Sequence, residues 1–111
     1  MSLGTPSPEA VAHAFLDHLS SGEYASAFKL FDRQMKVAMP ELVLRRLWED
    51  QTTKIGRMTR RGTGHRAPQL PFAGVAVDCE FERGVYASHF SIKDGRIMGV
   101  SFGHAVEAAV R

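Results

Sequence analysis

Two polar side chains stand on otherwise apolar helical stripes, and they are the first places in this sequence to look for chemistry. Gln51 interrupts the run Leu44, Leu47, Trp48, Gln51, Ile55, and Tyr24 heads the run Tyr24, Ala27, Phe28, Phe31, Met35. A carboxamide and a phenol facing an apolar interior can orient a small ligand by one or two hydrogen bonds, or can simply bond to neighbours inside a core. Trp48, one turn from Gln51, adds a flat apolar wall. Tyr24, Trp48 and Gln51 are therefore the ligand-pocket candidates. Acid–base catalysis would need a carboxylate or imidazole in the same cavity. Asp32, directly after Phe31, reads as solvated, and His18 falls at the margin of an apolar arc, so no residue is assigned a catalytic role. The five histidines form no HxH or HExxH pattern, which leaves metal binding without support. Cys79, the single cysteine, alternates with Val77 and Phe81 and reads as a small buried hydrophobe. No cofactor is implied.

The elements that would carry these groups can be read from period and punctuation. Ser7-Pro8-Glu9 combines a capping hydroxyl, a proline at the first helical position and an acid at the positive helix end. Val11, Ala12, Phe15, Leu16 and Leu19 share one arc of the helix that follows, and Ser20-Ser21-Gly22 stops it. A second helix carries the Tyr24 stripe through Met35. A third opens at Pro40, runs to about Ile55 and closes at Gly56, with Glu41–Arg45 and Arg46–Asp50 spaced for i, i+4 pairs on its outer face. Beyond Gly56 the period changes to two. Val75, Val77, Cys79 and Phe81 alternate with Ala76, Asp78, Glu80 and Glu82, a half-buried strand. Residues 57–70 read as an edge strand plus a loop. The layout is α+β: three N-terminal helices on one face of an antiparallel sheet of about four strands.

At 111 residues the chain is one domain, expected over 7–104, with 1–6 a leader or disordered and 105–111 a tail. No apolar run is long enough to span a bilayer, and MSLGTPSPEA lacks the regions of a signal peptide. No membrane partner and a cytoplasmic location are expected. The net charge is +2, with the basic excess gathered in KIGRMTRRGTGHR at 54–66. That run has no interleaved aromatics to stack bases, and Asp78, Glu80 and Glu82 on the neighbouring strand can pair with it across the sheet. No nucleic-acid partner is expected.

The segment YASHFSIKDGRIMGVSFGH, residues 86–104, is a hairpin with a two-residue Asp94-Gly95 turn. In regular register Ile92 faces Ile97, Phe90 faces Gly99 and Ser88 faces Ser101, a set assigned to the helices. Val85, Ala87, His89, Met98, Val100 and Phe102 then fall on the outer face. An uncovered apolar patch of this kind marks an interface, and a homodimer through the sheet face is expected.

Taken with these elements, the run GEYASAFKLFDRQMKVAMPELVLRRLWEDQTTKIG, together with CEFERG at 79–84 and KDGRIMGVSF at 93–102, resembles a small bacterial domain of unknown function in the nuclear transport factor 2-like (cystatin-like α+β cone) superfamily. That domain occurs alone, in lipoproteins or ahead of α/β-hydrolase domains. The resemblance implies a curved sheet with a pocket between it and the helices. It implies almost nothing about chemistry; the function expected of the chain is a non-catalytic module that binds a small, apolar ligand or serves a dimerisation or accessory role. The alternative is a small-molecule enzyme, isomerase- or dehydratase-like, using the same pocket.

Overall fold

The computed structural model describes residues 6–69 and 72–102; the expected tail over 105–111, and all of the expected leader over 1–6 except Pro6, lie outside them. Four helices precede five strands: α1 (Pro8–Ser20), α2 (Tyr24–Phe28), α3 (Arg33–Ala38), α4 (Glu41–Ile55), β1 (Met58–Arg61), β2 (His65–Gln69), β3 (Phe72–Phe81), β4 (Gly84–Lys93) and β5 (Arg96–Phe102). The α+β class and the helices-then-sheet order follow the sequence reading, while the element count rises from three helices to four and from four strands to five.

The additional helix has a local cause. Phe31 leaves the helical path to form a parallel bridge with Ile97, where Asp32 N–H donates to the Ile97 carbonyl at 2.9 Å and Ile97 N–H to that of Leu30 at 2.9 Å. The Asp32 carboxylate then accepts from Met35 N–H at 2.8 Å and restarts the chain as α3. Asp32 is a helix cap, and the Tyr24-to-Met35 stripe is two short helices hinged on one strand-like residue. Ser7 caps α1 as its sequence requires, accepting from Ala10 N–H at 3.1 Å.

The sheet is antiparallel. β3 holds β1 and β2 along one edge and β4 along the other, and β5 completes the order β1-β3-β4-β5. The Asp94-Gly95 turn has φ of 53° and 76°, the double left-handed geometry of a type I′ hairpin turn. It sets Lys93 opposite Arg96 and Ile92 opposite Ile97. There the regular register ends. Met98 is an extra residue in β5, so Ser91 opposes Gly99, Phe90 opposes Val100 and Ser88 opposes Phe102.

This bulge overturns part of the expected outer face. Val100 and Phe102 lie on the same face as Phe90 and Ser88 and pack against the core, because one inserted residue moves every later side chain to the other side. Gly99 and Ser101 take their places outside, beside Ser91 and His89. Val85, Ala87 and Met98 are half-exposed and His89 is exposed.

The core lies between the helices and the inner face. Val11, Ala12, Phe15, Leu16 and Leu19 from α1, Ala27, Phe31 and Met35, and Leu44 and Trp48 from α4 meet the alternating inward residues of β3 and β4. Leu47, expected on the buried stripe of α4, is exposed. The i, i+4 pair seen on that helix is Arg45–Glu49 at 3.2 Å, in place of Glu41–Arg45 and Arg46–Asp50. None of the described helices is long and apolar enough to cross a membrane.

Candidate functional site: the Trp48 wall

The three pocket candidates do not come together. Tyr24, the first residue of α2, lies half-buried beside α4, where the Arg45 guanidinium sits 5.7 Å from its ring centre. Burial raises its phenol pKa and the nearby Glu49 carboxylate adds to this, with Arg45 opposing. Gln51 and Trp48 lie further along α4, over the end of the sheet where β3, β4 and β5 supply Phe81, Tyr86 and Phe102.

Trp48 is 4% exposed and packs on Phe81 and Phe102 with ring centres 5.8 Å away in both cases. Phe81 stacks on Tyr86 at 4.8 Å, and Tyr86 meets Phe102 edge-on at 6.2 Å. The Tyr86 ring is 1% exposed, and its hydroxyl is, among the described residues, the buried side-chain polar atom without a hydrogen bond. Burial pushes its pKa well above the ordinary phenol value, and the neighbouring Gln51 amide pulls in the other direction. The amide thus lies within hydrogen-bonding reach of the hydroxyl without completing a bond of normal geometry. The alternation Tyr86, Ser88, Phe90, Ile92 carried the signal for an inward tyrosine. Nothing local in the sequence showed that Gln51 would sit over it.

The second inward polar group, Ser88, is fully buried and lies 3.7 Å from the Cys79 sulfur. Burial raises the Cys79 thiol pKa, opposed by its hydrogen bond with Ser88. Cys79 is thus a packed thiol, as its alternation indicated. Ser88 is the polar residue among the buried ones, so no carboxylate or imidazole of the described residues enters the core. No group of three or more His, Cys, Asp or Glu among them could hold a metal ion.

On its other side Trp48 walls an open cleft of about 330 Å³, shared with Ser20 of α1, Thr52 of α4, Arg57, Met58 and Thr59 at the start of β1, and Glu82 in the β3–β4 turn. Each wall has an identifiable anchor. Thr52 donates its hydroxyl back to the Trp48 carbonyl at 3.0 Å, and Thr59 donates to the Glu80 carbonyl at 3.2 Å. Arg57 and Glu82 extend the β1–β3 pairing: Glu82 N–H donates to the Arg57 carbonyl at 3.0 Å, and Arg57 N–H donates to Glu82 Oε1 at 3.0 Å. Glu82 lies across Gly56, where an added Cβ would fall 2.5 Å from Oε1 and 2.6 Å from the Glu82 Cβ. Gly56 also has φ of +87° as it ends α4. That residue must be glycine on both grounds.

The basic run disperses over several partners. Arg61 reaches α1, bonding Asp17 and the His13 carbonyl; Arg66 pairs with Glu9 at 3.1 Å; Arg60 approaches Glu80 at 3.4 Å. Only the last of these is a cross-strand pair. A further groove of about 330 Å³ lies over the outer sheet face, floored by small residues including Gly74, Ala76, Ser91, Gly99 and Ser101 with His89 at its side. Of the two grooves, the one at Trp48 combines an aromatic wall with opposite charges.

No curated protein and no solved structure matches this chain. A family profile described as "Protein of unknown function (DUF3887)" matches residues 12–100, which takes in every wall of the Trp48 cleft and all of the aromatic cluster behind it except Phe102, and the chain belongs to that family.

Proposed function

We propose that the domain is a non-catalytic binding module of the nuclear transport factor 2-like type, resident in the cytoplasm, that holds a small ligand in the cleft walled by Trp48. The observation that carries this reading is the cleft itself. Its volume of about 330 Å³ is at the small end of the range of ligand sites, and it pairs an aromatic and a thioether wall with a few fixed polar groups. The ligand is small and partly polar, in contrast to the small apolar ligand expected from the sequence. The isomerase- or dehydratase-like alternative requires an acid or base inside an apolar cavity, and the buried polar groups described here are hydroxyls and a thiol.

The single tryptophan makes the test direct. Ligand entering the cleft changes the Trp48 emission and raises the thermal midpoint through mass action, and Trp48→Leu removes both responses. A panel of small amphipathic compounds that leaves emission and midpoint unmoved overturns the reading.

The groove over the outer sheet face favours an accompanying homodimer, joined through Val85, Ala87, His89 and Met98, with Val100 and Phe102 no longer part of it. Small outward residues such as Ala76, Gly99 and Ser101 let two sheets approach closely. A dimeric mass by light scattering that falls to the monomer in Ala87→Glu is expected, and a monomeric parent protein removes this element.

A further inference from the structure

The charges of the Trp48 cleft are placed but not spent. Arg45, Arg60, Arg61, Arg66, Arg83 and Arg96 each bond a carboxylate or a carbonyl. The guanidinia of Arg33, Arg46 and Arg57 do neither among the described residues, and of these three Arg57 lines the cleft, its backbone fixed on both sides by Glu82. Glu82 complements it. One carboxylate oxygen is fastened by the Arg57 amide and the side chain rests on Gly56, so the second oxygen is held at the cleft wall with no bond of its own among the described residues. The two side chains form no ion pair with each other. A cationic and an anionic residue thus line one small cleft together with Trp48 and Met58.

We propose that the cleft takes a zwitterion of the amino-acid type, its ammonium on Glu82, its carboxylate on Arg57 and its apolar side chain against Trp48 and Met58. This deepens the reading of the cleft as the binding site and rests on it. A lone carboxylate ligand would meet Glu82 as a like charge, and a lone ammonium would meet Arg57. A zwitterion satisfies both, and guanidinium–carboxylate and carboxylate–ammonium contacts are the stronger class of hydrogen bond. Ser20, also on the wall, adds a neutral polar side chain to the lining.

The test follows Trp48 emission during titration with leucine, methionine and phenylalanine, each as the free amino acid, the amide, the N-acetyl acid and the N-acetyl amide. The free amino acid of at least one of the three binds, and losing either charge weakens it by about tenfold. Arg57→Gln abolishes the preference for acid over amide and leaves the preference for the free amine. Glu82→Gln, which still accepts from the Arg57 amide, does the converse. Equal affinity for all four forms of a side chain, or variants that shift every form alike, overturns the zwitterion while leaving the cleft a binding site. No response to any of the compounds, in emission or in thermal midpoint, overturns both.

Discussion

The inner face of the sheet ends in two aromatic clusters built from the same kinds of residue and put to different uses. At one end Phe15, Phe31 and Phe90 are at most 3% exposed; Phe15 sits 5.5 Å from Phe31 and 5.7 Å from Phe90, with Phe28 edge-on to Phe31 at 5.9 Å. Apart from Phe28, no ring of this cluster reaches the surface. At the other end Trp48, Phe81, Tyr86 and Phe102 are packed at similar distances, but this cluster contains a buried hydroxyl without a bond and a wall of the open cleft. The closed cluster fixes the helices to the sheet. The open one combines imperfect polar pairing with a wall of the cleft. An unsatisfied buried group costs about 1–3 kcal/mol, and a domain of this size can carry one.

That contrast can be broken by substitution, starting where the effect is largest. Phe31→Ala should cost about 3–5 kcal/mol in urea unfolding, since it empties a closed, well-packed site. Trp48→Ala should fall at the lower end of the same range, about 3 kcal/mol, because the cleft beside it lets the wall relax. A larger loss at Trp48 than at Phe31 would reverse the assignment of the two ends. Asp32→Ala removes a helix cap and should cost about 1 kcal/mol, with Asp32→Asn recovering most of it; no loss would mean that the bridge at Phe31 alone starts α3.

The smallest change is expected at Tyr86. Tyr86→Phe removes a hydroxyl that has no bond to lose, so stability near neutral pH should shift by less than about 0.5 kcal/mol, or rise. Alkaline pH separates the two proteins. A buried phenol whose folded pKa is raised stays protonated in the native state, while the unfolded phenol ionises near pH 10. Its contribution is complete below that pH and is lost as the pH climbs above it. The parent protein should therefore lose more stability than Tyr86→Phe between neutral pH and pH values above about 10. Parallel curves would place the hydroxyl in contact with water. Cys79 offers a check with no expected change at all: its buried, raised-pKa thiol should be alkylated only as fast as the domain opens. Rapid modification of the folded protein would show that the sheet interior is accessible.

The sequence disclosed what depends on local period. Helix α1 with its Ser7 cap, the end of α4 at Gly56, the alternation of β3 and the Asp94-Gly95 turn were all legible, as was Trp48 between helix and sheet. What escaped depends on partners distant in the chain. The break between α2 and α3 exists because Ile97 bonds residues 30 and 32, and nothing near Phe31 announces it. The bulge at Met98 is marked only by the strand glycine beside it, Gly99, which does not by itself fix a register, and one inserted residue was enough to send Val100 and Phe102 inward. Polarity on a stripe identified Gln51 but linked it with Tyr24, because only the fold sets Gln51 over Tyr86. The cleft charges were read as members of a basic run and an acidic strand. Their meeting at the Gly56 corner comes from the β1–β3 pairing.

The bridge between Phe31 and Ile97 also sets an order on synthesis. Residues 30–32 have their backbone partners in the last strand, and the Arg96 guanidinium donates to the Lys29 carbonyl at 2.7 Å across the same junction. The helices emerge first, but the segment between α2 and α3 cannot close until residue 97 has been made and β4 is there to hold it. Such long-range closure slows folding relative to helix formation. A growing chain halted before β5 would carry the rings of Phe28 and Phe31 without their cover. This small domain therefore completes itself at its end, and its nascent helical half is the stretch for which protection by a chaperone would matter most.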